Sequence, residues 1–266
     1  MESGLDLNDV LRCLALETVD EDLVEGRNLP LDHGRVFGGQ ILGQVICAAA
    51  AATPDKAVKS LTVLFPREGD TSAPMRYRLQ RHQAGRTFAS TGVVASQGEG
   101  DRVIAAALVS LHAAEEGPAQ QTPAPTVGPP EEAVARDLGM VPWETRIVGD
   151  VDLGARTAGP PTFDLWMRAP ELPDAHFVHQ ALLAHATDLT LIGTALRPFA
   201  DLSQADAHVT LQTAVTSHSL WFHRIFRLDE WLLVSQHSPV AHRRRFDGAT
   251  CSPLTASWSP PSPRNP

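Results

Sequence analysis

One local order occurs twice along this chain: an apolar helix, then short strands broken by turns. A helix that is apolar on all sides must be covered, so the repetition favours sheets that wrap two central helices. In the first half a glycine pair, Gly38-Gly39, opens an alanine-rich run that ends near Pro54. Strands follow at Val58 to Phe65, Met75 to Arg81, Thr87 to Ser96 and Val103 to His112, separated by Gly/Asp/Pro turns. In the second half a strand from Phe163 to Arg168 leads into a helix that Asp174 can cap. Val178, Ala181, Leu182, His185, Leu189, Ile192 and Leu196 keep helical spacing there until Pro198. Leu64-Phe65-Pro66-Arg67 then matches Trp221-Phe222-His223-Arg224, and each match is followed by another strand, Met75 onward and Trp231 to Gln236. The expected class is α+β, a duplicated unit. Its divisions are 7–114, a proline-rich linker at 115–142 with room for one short helix, a second repeat at 143–246 and a tail at 247–266.

The tail does not fit its own repeat. Pro253, Pro260, Pro261, Pro263 and Pro266 occupy a stretch where the first half has a strand, a turn and a strand, and proline is excluded from central strands. A single G restored after the codon for Phe246 lets permitted codons be regrouped to read FGRGDVLTADGELVASFAQE, which is the missing strand, turn and strand. We therefore read the tail as a shifted reading frame and expect the second repeat to lack its last strands. A gene sequence whose codons cannot be regrouped this way would exclude that reading.

Composition removes several function classes. A net charge of −9 gives no basic surface to track phosphates, apart from the short Arg243-Arg244-Arg245 run, so a nucleic-acid partner is not expected. Apolar runs such as Val103 to Leu111 fall well short of the roughly 20 residues that span a bilayer, and the start of the chain has no basic leader. Cys13, Cys47 and Cys251 are odd in number and lack metal spacing, which suits free thiols in the cytoplasm. His218 and His223 flank Trp221 on a strand, and His179 and His185 share a helix, but no third ligand is specified, so no metal is expected.

Asp188 is the first catalytic candidate. It falls with Ala181, His185 and Ile192 on an apolar helix face, and a buried carboxylate costs free energy unless it is paired. A structural, hydrogen-bonded carboxylate is the alternative. Gly38-Gly39-Gln40 can expose bare N–H groups at the positive end of a helix, although glycines there also serve close packing.

Five segments in order resemble the acyl-CoA thioesterase II family: Arg35-Val36-Phe37-Gly38-Gly39-Gln40, Ser60 to Phe65 with Arg67-Glu68-Gly69-Asp70, Gly85-Arg86-Thr87-Phe88, Asp188-Leu189, and His218-Ser219-Leu220-Trp221-Phe222-His223-Arg224. The resemblance spans about residues 7 to 246. It implies a double hotdog fold, hydrolysis of acyl-CoA to fatty acid and CoA, no metal or organic cofactor, and a homo-oligomer. It further implies that an Asp on the second helix, a Thr or Ser on the next strand and a Gln on the last strand hold the attacking water. Asp188 matches the first. Val215 stands at the hydroxyl position, with Thr216 and Ser217 beside it as candidates, and only the regrouped frame supplies the Gln. Gly38, Gly39, Gln40, His218 and Trp221 are the expected substrate-binding residues. Arg67, Arg76, Arg78, Arg81 and Arg86 could meet CoA phosphates or form a solvated strand face. A non-catalytic acyl-CoA-binding subunit is the rival from another class. An enoyl-CoA hydratase would want a His about five residues from the Asp, and 188–193 has none.

Overall fold

The computed structural model describes residues 4–32, 34–121, 125–207, 209–242, 245–246 and 252–255. Helix α1 (Leu7–Leu14) starts on a reciprocal capping box, in which Asp9 N donates to Asp6 at 2.8 Å and Asp6 N donates to Asp9 at 3.0 Å. The hairpin β1 (Glu17–Asp20) and β2 (Leu23–Gly26) comes next; neither it nor α1 is anticipated from periodicity. Then come α2 (Gly38–Ala51), β3 (Ala57–Leu64), β4 (Met75–Ala84), β5 (Phe88–Gln97) and β6 (Arg102–His112), within a few residues of expectation.

The second half contains β7 (Val134–Ala135), β8 (Glu144–Ile147), β9 (Thr162–Arg168), α3 (His176–Thr187) and α4 (Leu191–Leu196). After them lie β10 (Ser217–Trp221), β11 (Leu232–His237), the short pair β12 (Ala241–His242) and β13 (Arg245–Phe246), and β14 (Ser252–Thr255). One antiparallel sheet runs β1-β2-β4-β5-β6-β3-β10 and another runs β14-β11-β9-β8-β7. One large apolar core passes through both halves, and a small second cluster gathers around Trp166 and Leu233.

The two repeats meet about a two-fold axis. Thr62 and Ser219 stand opposite each other where β3 pairs with β10, their hydroxyls 3.0 Å apart, and 157 residues separate them. The same offset carries Leu64 onto Trp221. It exchanges the pair Ser217–Leu64 with the pair Trp221–Ser60, so the ladder maps onto itself. The central helices run antiparallel: Gly39 packs on the carbonyl of His185 and Gly43 on that of Ala181. Gly43 and Ala181 are each the sixth residue of their helix, so they too are mates across the axis.

Four expectations change. The long second helix is two: α3 ends at Thr187, Asp188 caps it, and the chain turns before α4. Asp174 does not cap α3; the N-cap is Ala175, and Asp174 accepts from Arg227 instead. The linker is shorter than 115–142, because after a 3₁₀ turn at Pro130–Glu132 the strand at Val134–Ala135 already pairs with β8. The tail supplies one strand: β14 takes beside β11 the place that β5 holds beside β4, with Pro253 opposite Val234 on a sheet edge, where a missing N–H is tolerated. Among the described residues no strand takes the place of β6 between β14 and β10. Arg243, Arg244 and the tail positions 247–251 and 256–266 lie outside the described residues.

Candidate functional site

The start of α2 is held by contacts from distant segments. Val36 N donates to Gly69 O at 3.0 Å, the backbones of Arg35 and Asp70 pair as in an antiparallel sheet, and Gln97 fixes that loop by donating to Asp70 O at 2.7 Å and to Ala73 O at 2.6 Å. The segments Arg35 to Gln40 and Arg67 to Asp70 are thus one structural unit. The N-cap, Phe37, makes no side-chain cap bond, and Ile41 N is the first to reach back, to Phe37 O. The N–H groups of Gly38, Gly39 and Gln40 are the orphan donors of a helix start. The Gln40 side chain is occupied: its amide donates to Asn28 Oδ1 at 2.8 Å and Gln44 Oε1 at 3.2 Å and accepts from Leu29 N at 3.0 Å. Gln40 can therefore meet a ligand only through its backbone.

Asp188 lies against this helix start. A Cβ added at Gly38 would sit 2.6 Å from Asp188 Oδ2, and one at Gly39 would sit 2.3 Å from the carbonyl oxygen of His185. Gly39 is therefore required by the approach of backbone, and Gly38 lets the Asp188 carboxylate keep its place. The carboxylate is buried, and its Oδ1 has no hydrogen-bond partner among the described residues. It faces Nδ1 of buried His218 at 3.4 Å, and Nε2 of that ring contacts Thr187 Oγ1 at 3.2 Å. His185 lies one turn back on α3, its ring edge-on to Phe37 at 5.0 Å, with Nε2 donating to Met140 O at 2.8 Å. Burial holds the His185 imidazole neutral, lowering it to about 4, although the Met140 carbonyl and the Asp188 charge pull the other way.

The other sequence candidates separate. Thr216 and Ser217 are exposed; the Thr216 carbonyl accepts from Phe65 N, and Ser217 pairs with Leu64. Thr187, not singled out in the sequence, is the hydroxyl in contact with His218. Trp221 is 58 % exposed and alternates to the opposite face of β10 from His218. Gly85-Arg86 line a cleft with Ala52 and Lys56 at the other end of α2, roughly 20 Å along the helix from Gly38. Among the described residues no three His, Cys, Asp or Glu side chains gather as a metal site, and no helix is long and apolar enough to cross a membrane.

The two-fold creates a second location of the same kind, where α3 begins and α2 ends. It carries no equivalent chemistry. His176-Phe177 replaces the glycine pair, α2 ends in Ala50-Ala51-Ala52 rather than a carboxylate, and Leu61 is the mate of His218.

Family models match both halves: an acyl-CoA thioesterase N-terminal domain at residues 28–112, which includes Gly38, and acyl-CoA thioesterase at 158–247, which includes Asp188 and His218. Human acyl-coenzyme A thioesterase 8 is 33 % identical over 89 % of this chain and 81 % of its own length. The chain belongs to the acyl-CoA thioesterase family. Within that family, acyl-CoA thioesterase 2 of Haemophilus influenzae is 28 % identical over 85 % of each chain. The solved acyl-CoA thioesterase II TesB2 of Mycobacterium marinum superposes with a TM-score of 0.71 at 30 % identity, covering 88 % of this chain and 87 % of its own. A TesB protein of Mycobacterium avium subsp. paratuberculosis gives 0.75 at 25 % identity, over 90 % and 89 %. The fold is thus the double hotdog of TesB-type thioesterases, and the Asp188 site joins the two matched halves of this thioesterase chain.

Proposed function

We propose that this thioesterase hydrolyses acyl-CoA with Asp188 as the base for an attacking water. The observation that carries this reading is the position of the Asp188 carboxylate against Gly38, which brings a proton acceptor and orphan N–H donors to one spot. The thioester oxygen would lie against the first N–H groups of α2, where negative charge is stabilised as it develops. Asp188 Oδ2 takes a proton from water as the water oxygen adds to the carbonyl carbon. The C–S bond then breaks and that proton passes to the leaving sulfur, giving the free acid and CoA. Beside Leu189 a cavity of about 370 Å³ has walls of Leu138, Ile147, Val151, Leu153 and Phe163, and we assign the acyl chain to it. General-base help of this kind is worth about 10²–10⁴-fold. Asp188→Asn is accordingly expected to lower kcat at least tenfold without unfolding, measured as thiol release from acyl-CoA; an unchanged rate would remove Asp188 from the mechanism.

A cytoplasmic setting and a homo-oligomer belong to the same reading. Cys13 and Cys47 are free and buried, and Leu64, Leu108 and Trp221 leave exposed apolar groups on β3, β6 and β10. A binding-only subunit is the second reading. It is favoured by Val215 at the family's hydroxyl position and by the lack, among the described residues, of a strand between β14 and β10. Binding of a non-hydrolysable acyl-CoA analogue with no turnover of the thioester would select it.

A further inference from the structure

We propose that His218 is the positioning residue of this site: its Nδ1–H holds Asp188 by Oδ1, Thr187 steadies the ring through Nε2, and Oδ2 is thereby the oxygen presented to water. The inference rests on the reading of Asp188 as the base. It gives His218 a role different from the substrate contact expected of it.

The first support is a proton count. An ionised carboxylate only accepts, so a buried ring nitrogen facing it at 3.4 Å must carry a proton or two lone pairs oppose each other in a dry site. Asp188 Oδ1 and His218 Nδ1 are both buried without a hydrogen-bond partner among the described residues, and each is the polar atom the other faces. The other ring nitrogen lies 3.2 Å from the Thr187 hydroxyl, whose one proton goes to Ala184 O at 2.8 Å and must turn to Nε2 when the neutral ring carries its proton on Nδ1. Thr187 thus steadies one side of the ring, and the approach to Asp188 on the other is of the kind that tightens into a hydrogen bond when substrate binds.

The second support is the internal repeat. The mate of His218 is Leu61, a fully packed core residue on β3, at the end of the molecule where the helix carries alanines instead of a carboxylate. A strand position that takes leucine for packing carries an imidazole only at the end that has an aspartate. Packing therefore does not account for the histidine.

The test compares His218→Leu, His218→Asn and Asp188→Asn singly and in combination. Leucine is the residue the fold already uses at the mate position, and asparagine keeps an N–H donor where Nδ1 stood. His218→Leu is expected to lower kcat by about 10²-fold, the scale of a misplaced reacting group, with KM within about threefold. His218→Asn should recover most of that loss. The pair Asp188→Asn/His218→Leu should be no slower than Asp188→Asn alone. A rise in KM alone, an unchanged kcat in His218→Leu, or additive losses in the double variant would overturn the proposal. The imidazole ¹⁵N shifts of the folded wild-type protein give a readout independent of turnover. A proton on Nδ1 supports the arrangement even if Asp188→Asn leaves the rate unchanged and the base reading fails. A neutral ring protonated only on Nε2 overturns it whatever the rates.

Discussion

Gly38 and Gly39 are adjacent and identical, yet they answer different demands. At Gly38 an added methyl would press on the free end of the Asp188 side chain, which can swing aside. At Gly39 it would press on the His185 carbonyl and the Phe37 ring, and backbone cannot swing aside. Gly38→Ala is therefore expected to leave stability nearly unchanged and lower kcat by about 10²-fold, through displacement of the carboxylate. Gly39→Ala should cost roughly 1–3 kcal/mol of stability. Urea unfolding with parallel kinetics separates them, and a stable Gly39→Ala would show that the helices can move apart at that point. The glycine pair was legible in the sequence as a helix start that a ligand or another helix could approach. Which glycine faced a carboxylate was not, because Asp188 is distant in sequence and arrives there only through antiparallel helix packing.

At the scale of elements, the end of α3 shows why a helical pattern overran. The apolar spacing continues to Leu196, but a buried hydrogen-bond set turns the chain after Asp188. Gln236 on β11 donates to Thr190 Oγ1 and accepts from Thr194 Oγ1, each at 2.7 Å, and Gln204 donates to Leu189 O at 3.1 Å. These partners lie far along the chain, so periodicity cannot report them. The turn places Asp188 at the end of α3 instead of on its flank. The last turn of α3 also carries His185, whose neutral form is enforced by burial. Its ordinary value of 6.5 is lowered to about 4, so as pH falls the unfolded chain takes a proton that the folded one refuses. Stability is fully present above about 6.5 and is lost as pH falls toward 4, by up to about 3 kcal/mol from this group. His176 and His179, also lowered chiefly by burial, act in the same direction. Urea midpoints between pH 7 and 4.5 should fall, and fall less in His185→Gln; equal slopes in the two proteins would mean that the burial of this ring does not govern them.

At the scale of the whole molecule, the two repeats are alike in their central helices and, among the described residues, unlike in their last strands. β3 has β6 on one side and β10 on the other, whereas β10 has β3 alone among the described residues. An unpaired edge next to the Asp188 site weakens the sheet and invites pairing with another chain. A protein made with the restored frame, which encodes a further strand, is expected to be more stable and less prone to aggregate, each kcal/mol gained raising Tm by about 2–4 °C. It should also hydrolyse acyl-CoA faster than this chain does. Thermal melts and thiol-release assays on the two proteins check this, and equal Tm and rate would show that the strand is dispensable.

The sequence by itself determined the repeat, the central helices and most of the first-half strands, the family resemblance and the candidacy of Asp188, because those properties are written in local spacing and residue chemistry. It did not determine what surrounds the carboxylate. That His218 meets Asp188 and Thr187, while Thr216, Ser217 and Trp221 do not, depends on the pleat of β10 and the point at which α3 stops. Both are set by packing across the two-fold, where side chains distant in sequence compete for one buried volume, and only the folded chain decides which of them occupy it.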